Sequence, residues 1–224
     1  LDRDAEELAE AAATLPGALP ITCDVSIPQE VAQSIAEVEQ TCGRLDILVN
    51  NAGGWPPKPA LHTSPEEFEN AISFNVTSAL AMTQLAVPHM LKTIENNNTS
   101  SGSVLNISSI AGTEPSACFA AYGTAKSALS FLSKELAQDF APKIRVNAIN
   151  VGSTKTSAVN TVLNDEIEAA MVDLTPMARL GEVEDIAAAA LYLSSPAACY
   201  VTGEILGVHG GLTGLNMRMP RAFD

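Results

Sequence analysis

Tyr122 and Lys126 stand four residues apart in "AAYGTAKSALSFL", a segment whose composition predicts a helix over residues 120–132. At 100° per residue the two side chains share one face, one turn apart. A free tyrosine has a pKa of about 10, and a nearby ammonium favours the phenolate and lowers that pKa. The pair therefore predicts a general acid/base that works near neutral pH. A partly buried tyrosine beside a solvated lysine is the alternative that the spacing alone leaves open.

Ser109 lies thirteen residues before Tyr122, at the end of a predicted strand, while Tyr122 opens the next helix. If the intervening loop folds back, the Ser109 hydroxyl can hydrogen-bond a substrate carbonyl and the charge that develops on it. Its alternative role is a bond to the local backbone. Ser108 competes for the same role, but adjacent strand residues point to opposite faces. Asn75 either bonds a backbone group, holds a water in a proton relay or caps the long predicted helix that follows.

The composition indicates one globular domain over residues 1–224. The chain is 46% hydrophobic and 17% charged, which is enough to bury a sizeable core. Its net charge of −14 and lack of a positive stripe argue against a nucleic-acid partner. No apolar run is long enough for a membrane span, and the four cysteines are scattered without a metal-binding pair. We expect a cytoplasmic protein without a metal site.

Strands and helices alternate along the chain. The predicted strands are near-continuous apolar runs, "ALPITCDV", "LDILVNNAG", "GSVLNISS", "IRVNAIN" and "GEILGVHGG", and helical patterns separate them. This arrangement predicts a doubly wound parallel sheet of Rossmann type, covered on both faces. Ligands of such sheets bind outside the carboxyl ends of the strands, where small, Gly-rich and hydroxyl residues collect here.

Several helix ends carry local signals. Ser26 and Gln29 have capping-box spacing, and so do Ser64 and Glu67 around Pro65. Gly43 suits the position after a last turn. Pro88 lies inside "NVTSALAMTQLAVPHMLKTI" and predicts a bend in that helix.

The chain resembles the short-chain dehydrogenase/reductase family over its whole length. The signature pieces of that family occur here in order, as "CDV", "NNAG", "FNV", "NISS", "YGTAK", "IRVNAINVG", "RLGEVEDIA" and "YVTGEILGVHGG". The ordered set is specific, whereas a YxxxK pair alone is not. The resemblance implies hydride transfer between a nicotinamide cofactor and an alcohol or ketone. The active site that it implies consists of Asn75, Ser109, Tyr122 and Lys126.

The same resemblance implies the cofactor contacts. Asp24 and Val25 would lie near the adenine and Asn51 beside the adenosine ribose, while Tyr122 and Lys126 would face the nicotinamide ribose. The turn at Gly152, Thr154 and Thr156 would hold the carboxamide and phosphates. NAD is favoured because acids stand at Asp2 and Asp4, and Arg3 keeps NADP open.

The resemblance also implies a homotetramer that assembles through the two long helices, 75–94 and 122–140. We expect their apolar faces to supply the contacts, through residues such as Ala79, Leu80, Leu85, Leu129 and Leu132.

Three departures from the family pattern stand out. Val151 replaces a usual proline before Gly152, which predicts a less rigid turn, and His209 replaces a usual aspartate, more plausibly for structure than for catalysis. The family's first strand and its TGxxxGxG turn are absent, roughly thirty residues of the pattern. The sequence fits either a fragment of a complete enzyme or a shortened, catalytically silent subunit. On either interpretation, we expect weak NADH binding and poor folding by this chain alone.

The variable segment 157–179 predicts a lid over the substrate. Its helical pattern places Val162, Leu163, Ile167, Met171 and Leu174 on one apolar face, which suits a hydrophobic alcohol or ketone or simply packs on the core. Within the family, "NNAGGWPPKP" and "EIEAAMVDLTPMARLG" most resemble the 7α-hydroxysteroid dehydrogenase group. A hydroxysteroid is therefore one expected substrate, and a 3-oxoacyl or small-ketone substrate is the alternative.

Overall fold

The computed structural model describes residues 1–97, 101–156, 164–217 and 219. Its centre is a parallel sheet with strand order β1-β2-β3-β4. The strands are β1 (Ile47–Asn50), β2 (Gly102–Ser109), β3 (Ile144–Val151) and β4 (Ile205–Val208). Nearly every residue of β2 and β3 is buried, as expected for strands covered on both faces.

Seven helices of the described residues surround the sheet. They are α1 (Ala5–Ala13), α2 (Pro28–Cys42), α3 (Pro65–Ile72), α4 (Ser78–Asn97), α5 (Ala120–Phe140), α6 (Asp165–Asp173) and α7 (Val183–Ser194). A π-helical turn, Ser73–Thr77, joins α3 to α4.

The core has two parts, one on each side of the sheet. On one side α2, α4 and α5 bury Val31, Met90 and Val104 between them and the strands. On the other side α7 packs Leu193 against Leu105 and Ile149. Helices on both faces of a parallel sheet confirm the predicted doubly wound α/β architecture.

Residues 18–25 do not form the predicted strand. In the described chain they make only an isolated parallel bridge, Asp2 with Thr22, although Ile21 and Cys23 are buried. A strand forms where a neighbouring strand supplies several consecutive hydrogen-bonded pairs, and here the segment pairs at one position only, with Asp2. The apolar pattern was thus correct about burial and wrong about pairing.

The two predicted capping boxes have different outcomes. Ser64 and Glu67 form theirs, because the Glu67 amide donates to the Ser64 hydroxyl at 3.1 Å and the Ser64 amide to the Glu67 carboxylate at 2.8 Å. The box at Ser26 is wrong. The Ser26 amide and hydroxyl both donate to Asp24, and α2 starts at Pro28 without a side-chain cap. Gly43 ends α2 in the left-handed conformation, as predicted.

The apolar residues predicted to face a partner subunit point mostly inward. Ala79 and Leu129 are buried, and Leu80, Leu85 and Leu132 pack partly against the core beneath α4 and α5. The periodicity identified an apolar face, but that face is the one that covers the sheet. On α5 the large apolar side chain that is exposed is Phe131, at 64% of its surface.

Candidate active site

Ser109 is the last residue of β2, and its side chain is 8% exposed. The hydroxyl accepts a hydrogen bond from the Ala111 amide at 3.2 Å, which caps the short 3-10 turn Ile110–Gly112. Both roles considered for this serine are therefore compatible. The oxygen serves the local backbone, and the hydroxyl proton remains a donor for another group.

Two glycines allow the loop after β2 to fold back onto α5. A β-carbon at Gly112 would lie 2.7 Å from the backbone of Lys126, and one at Gly123 would lie 2.8 Å from the Ala111 carbonyl oxygen. Real β-carbons do not approach backbone so closely, so these positions require glycine. The contact places Ser109 beside the first turn of α5, which carries Tyr122.

Lys126 is buried, with 3% of its surface exposed. Its Nζ donates to the Ile107 carbonyl at 2.8 Å and lies 5.8 Å from the centre of the Tyr122 ring. Burial lowers the pKa of Lys126 to about 8. The predicted pair therefore exists, but its cation approaches the face of the ring.

The pKa of Tyr122 moves in the direction opposite to the one predicted. Burial raises the pKa, and a hydrogen bond with Ser109 lowers it by less. The expectation that Lys126 would lower this pKa is wrong for the protein without ligand, because desolvation dominates and the ammonium is hydrogen-bonded to Ile107. Tyr122 is thus held in its protonated form, ready to donate.

Asn75 is fully buried inside the π-helical turn, so it does not cap a helix. Its side-chain oxygen accepts from the Gly54 amide at 2.8 Å, while its amide nitrogen donates to the carbonyls of Gly54 and Ala71. These bonds occupy both amide protons. Of the roles considered for this residue, the side chain performs the one of bonding the backbone, and it fixes the loop that follows β1. Helical π-turns are frequent at functional sites.

Gly53 belongs to the same cluster, although the sequence analysis did not single it out. A β-carbon there would lie 2.7 Å from the Lys126 Nζ and 2.8 Å from the Asn75 Oδ1. The loop after β1 therefore touches both side chains through bare backbone. The signal was present in the sequence, since paired glycines after an apolar predicted strand allow such an approach.

Four of the other residues assigned to cofactor binding lie shortly after the carboxyl ends of strands: Asn51, Gly152, Thr154 and Thr156. Asn51 is exposed directly after β1, and Gly152 follows β3. Thr154 is buried, and its hydroxyl donates to the Gly152 carbonyl at 3.2 Å. Thr156 lies two residues further along the same turn.

Asp24 and Val25 lie shortly before α2 and outside the four strands of the sheet. Val25 packs partly against the core, and bonds from Ser26 lower the pKa of the Asp24 carboxyl. The side chain of Asp24 therefore already serves the local turn, where it accepts from the Ser26 amide and hydroxyl.

Val151 and His209, which depart from the family pattern, both have structural explanations. Val151 is the last residue of β3 and pairs with both Ser109 and Val208, so the sheet itself fixes the residue before Gly152. The imidazole of His209 covers Gly207, where a β-carbon would lie 2.5 Å from its Nε2. His209 also lines a cavity of about 300 Å³ next to Thr154. Its packing supports the structural role expected of it.

The predicted lid is described only in part. Val162 and Leu163 lie outside the described residues, and α6 covers part of the remainder. Met171 is buried, whereas Ile167 and Leu174 are 37% and 45% exposed. The apolar face therefore does not pack entirely on the core.

A buried serine and lysine lie beside the half-buried Tyr122 near the carboxyl ends of a parallel sheet, and comparisons with known proteins show which family has this fold. The sequence profile described as Enoyl-(Acyl carrier protein) reductase matches residues 1–213. An uncharacterized oxidoreductase of Mycobacterium tuberculosis is 46% identical over 201 residues, which are 89% of this chain and 74% of that protein. The 7alpha-hydroxysteroid dehydrogenase of Escherichia coli K12 is 40% identical over 190 residues, 84% of this chain and 72% of the enzyme.

Solved structures give the same result. A 7alpha-hydroxysteroid dehydrogenase complexed with NADH and 7-oxo glycochenodeoxycholic acid superposes with a TM-score of 0.84 at 37% identity, covering 95% of this chain and 81% of that one. The chain belongs to the short-chain dehydrogenase/reductase family and is an oxidoreductase. Among the residues that the structure describes, no helix is long and apolar enough to cross a membrane.

Proposed function

We propose that this protein interconverts a secondary alcohol and a ketone, with Tyr122 as the acid/base. The observation that carries the proposal is the Ser109–Tyr122–Lys126 cluster, in which Ser109 and Lys126 are buried and Tyr122 is half-buried. Tyr122, protonated at neutral pH, gives its proton to the ketone oxygen. Ser109 donates a hydrogen bond to the same oxygen, where negative charge develops. In the oxidative direction Tyr122 receives the proton from the alcohol.

The family uses nicotinamide cofactors, and the residues present fit one. Lys126 is a buried cation with a single hydrogen bond, to Ile107, among the described contacts, so it has protons left for ribose hydroxyls. Gly54 leaves room for a ligand against the loop after β1, because a β-carbon there would have no atom within 4 Å. The bound nicotinamide would supply the hydride. Lys126 and Tyr122 would hold its ribose, and the Gly152, Thr154 and Thr156 turn its carboxamide and phosphates.

We favour NAD over NADP as the cofactor. Asp2 is exposed next to the bridge with Thr22, and a carboxylate there would repel a 2′-phosphate. Asp4 contributes less, because its carboxylate caps α1 through the amides of Glu6 and Glu7. Arg3 is the group that would favour NADP. The ratio of kcat/KM for the two cofactors measures the preference.

We propose a hydrophobic substrate of hydroxysteroid type. The exposed apolar side chains of Ile167 and Leu174 on and after α6 provide apolar surface for a ring system. The likeness to a 7alpha-hydroxysteroid dehydrogenase that was solved with a 7-oxo bile acid supports the same class. The second candidate is an acyl substrate, which the description of the matching sequence profile favours. A panel of 7α-hydroxy bile acids and 3-oxoacyl thioesters separates them by kcat/KM.

Tyr122→Phe tests the proposal directly. It removes the ionisable hydroxyl, so we expect kcat to fall by ~10²–10⁴-fold, the usual contribution of an acid/base group. Tyr200→Phe is the matched control, since Tyr200 is fully exposed, and its kcat should stay at the wild-type value. The absorbance of the reduced nicotinamide reports turnover in both variants. A Tyr122→Phe protein that keeps more than about a tenth of the wild-type kcat contradicts the assignment.

We further propose that the protein assembles as a homotetramer, with α5 at one interface. Phe131 supports this placement, because its large apolar ring is 64% exposed on α5 and aromatic side chains are enriched at interfaces.

A further inference from the structure

A row of buried polar side chains connects α5 to β2 and β3 behind the proposed active site. The Ser108 hydroxyl donates to the carbonyl oxygen of Lys126 at 2.9 Å, and its oxygen lies 2.8 Å from that of Ser130. The Ser130 hydroxyl also donates to the side-chain oxygen of Asn150 at 3.3 Å. Ser108, Ser130 and Asn150 are 3%, 8% and 6% exposed, so little water reaches their hydrogen-bonding groups.

Two hydroxyl protons serve the three contacts of this row. Ser108 donates to the Lys126 carbonyl, Ser130 donates to the side-chain oxygen of Asn150, and either hydroxyl can donate to the other. The row therefore ties the backbone of α5 to both β2 and β3.

We propose that Ser108, Ser130 and Asn150 are positioning residues that hold α5 in register along β2, so that Tyr122 meets Ser109. Ser108 and Ser109 are neighbours on opposite faces of β2. One binds the backbone of α5 at Lys126, and the other contacts the Tyr122 hydroxyl. A shift of α5 by a single residue moves its side chains by about 1.5 Å. That shift exceeds the tolerance of an O–H···O hydrogen bond. The proposal rests on the function proposed above.

Ser133 provides a matched control on the same helix. Its side chain is also fully buried, donates to the Leu129 carbonyl at 2.8 Å and accepts from the Asn106 amide at 2.8 Å. It therefore links α5 to β2 in a similar way, but without a bond to the backbone of Lys126. Loss of this hydroxyl should weaken the fold as much as loss of the Ser130 hydroxyl.

The first measurement compares kinetics and stability. We expect Ser108→Ala and Ser130→Ala to lower kcat by on the order of 10- to 100-fold, since a misplacement of about 1 Å can cost 10²-fold. Ser133→Ala should lower Tm by a similar amount as Ser130→Ala and leave kcat within about 2-fold of wild type. If Ser133→Ala loses as much kcat as Ser130→Ala, or if neither Ser108→Ala nor Ser130→Ala loses any, the proposal is overturned. If one of Ser108→Ala and Ser130→Ala fails to fold, the kcat of the other still tests the proposal.

The second measurement does not require turnover. The chain contains three tyrosines, so protein labelled with 13C at tyrosine Cζ gives three resonances, and Tyr122→Phe identifies that of Tyr122. At neutral pH this resonance should shift in Ser130→Ala and keep its wild-type position in Ser133→Ala. An unmoved Tyr122 resonance in folded Ser130→Ala overturns the positioning role. A wild-type protein without turnover overturns the proposed function instead, and the resonance still decides the role of the row.

Discussion

Burial sets the protonation states of the two ionisable side chains in the site. It raises the pKa of Tyr122 and lowers the pKa of Lys126 to about 8, so each neutral form is favoured more than it would be in water. At pH 7 Lys126 is still mostly an ammonium, and Tyr122 holds its proton. A negatively charged ligand near Lys126 would favour the ammonium. The chemistry thus depends on desolvation as much as on the spacing of the pair.

Lys126→Met should stabilise the protein at neutral pH while abolishing activity. The folded pKa of about 8 lies below the ordinary 10.5, so the buried lysine destabilises the fold below pH 8. A shift of that size corresponds to at most about 3 kcal/mol. This destabilisation of the fold decreases as pH rises from 8 to 10.5, because the unfolded chain then also loses the lysine proton. Thermal melts at pH 7 and pH 10 measure the effect.

The control for that experiment is Lys134→Met, because Lys134 lies on an exposed position of α5. Its Tm should differ little from wild type at either pH. Two results would contradict the claim that desolvation of Lys126 destabilises the fold. One is a Tm of Lys126→Met below that of wild type at pH 7, and the other is a Tm difference that grows toward pH 10.

At the scale of elements, the site depends on how closely one turn approaches one helix. The 3-10 turn Ile110–Gly112 contacts the first turns of α5 through Gly112 and Gly123, and this contact brings Ser109 to Tyr122. The π-turn Ser73–Thr77 does the same for the loop after β1, because it directs Asn75 at Gly54. Both contacts involve backbone, so they leave little freedom to adjust.

Gly123→Ala should lower both activity and stability, although helix propensity alone favours alanine over glycine. Alanine gains about 0.8–1.0 kcal/mol over glycine in a helix. The new β-carbon would lie 2.8 Å from the Ala111 carbonyl oxygen, and overpacking of this kind costs about 1–3 kcal/mol. We expect a lower Tm and a kcat reduced by at least ~10-fold as α5 moves from Ser109. Thr124→Ala, one residue along and exposed, should keep kcat and Tm. Unchanged kcat in Gly123→Ala would show that the close contact does not position the site.

At the scale of the whole molecule, apolar surface remains exposed at several separate places. Phe131 projects from α5, and Leu191, Tyr192 and Tyr200 are exposed on and after α7. In addition, Ile47 and Val49 are each 45% exposed on β1, which pairs on one side only within the described residues. Patches of this kind mark surfaces for other chains or other segments. The net charge of −14 keeps such a protein soluble despite them.

Phe131→Asp should reduce the assembly state. A charged side chain buried at an interface without a partner costs several kcal/mol, so an interface at α5 would dissociate at micromolar concentration. Sedimentation velocity measures the mass, with Leu191→Asp as the matched change on the other exposed face. If only Leu191→Asp has a lower mass, the interface lies at α7 and not at α5. A monomeric wild type would contradict assembly altogether.

Much of the fold was predictable because burial leaves a pattern in the sequence. The prediction for β2 matches its observed bounds, and β3 differs by one residue, since both are short segments rich in apolar residues and bounded by helical patterns. The Ser64 cap was equally predictable, because capping is decided within four residues. Residues 18–25 and the Ser26 cap were mispredicted. Pairing depends on a neighbouring strand, and Asp24 competes for the Ser26 protons.

For the site, the sequence by itself determined the spacing of Tyr122 and Lys126 and the strand end at Ser109, and it predicted that these residues meet at one rim. Spacing and strand ends are local properties, and the carboxyl ends of parallel strands necessarily share an edge. Only the tertiary structure decided the direction in which the pKa of Tyr122 moves, because desolvation depends on every element packed around the ring. It alone also decided that Asn75 holds a loop and that Ser108 binds the backbone of Lys126. Both contacts join residues that lie far apart in the chain.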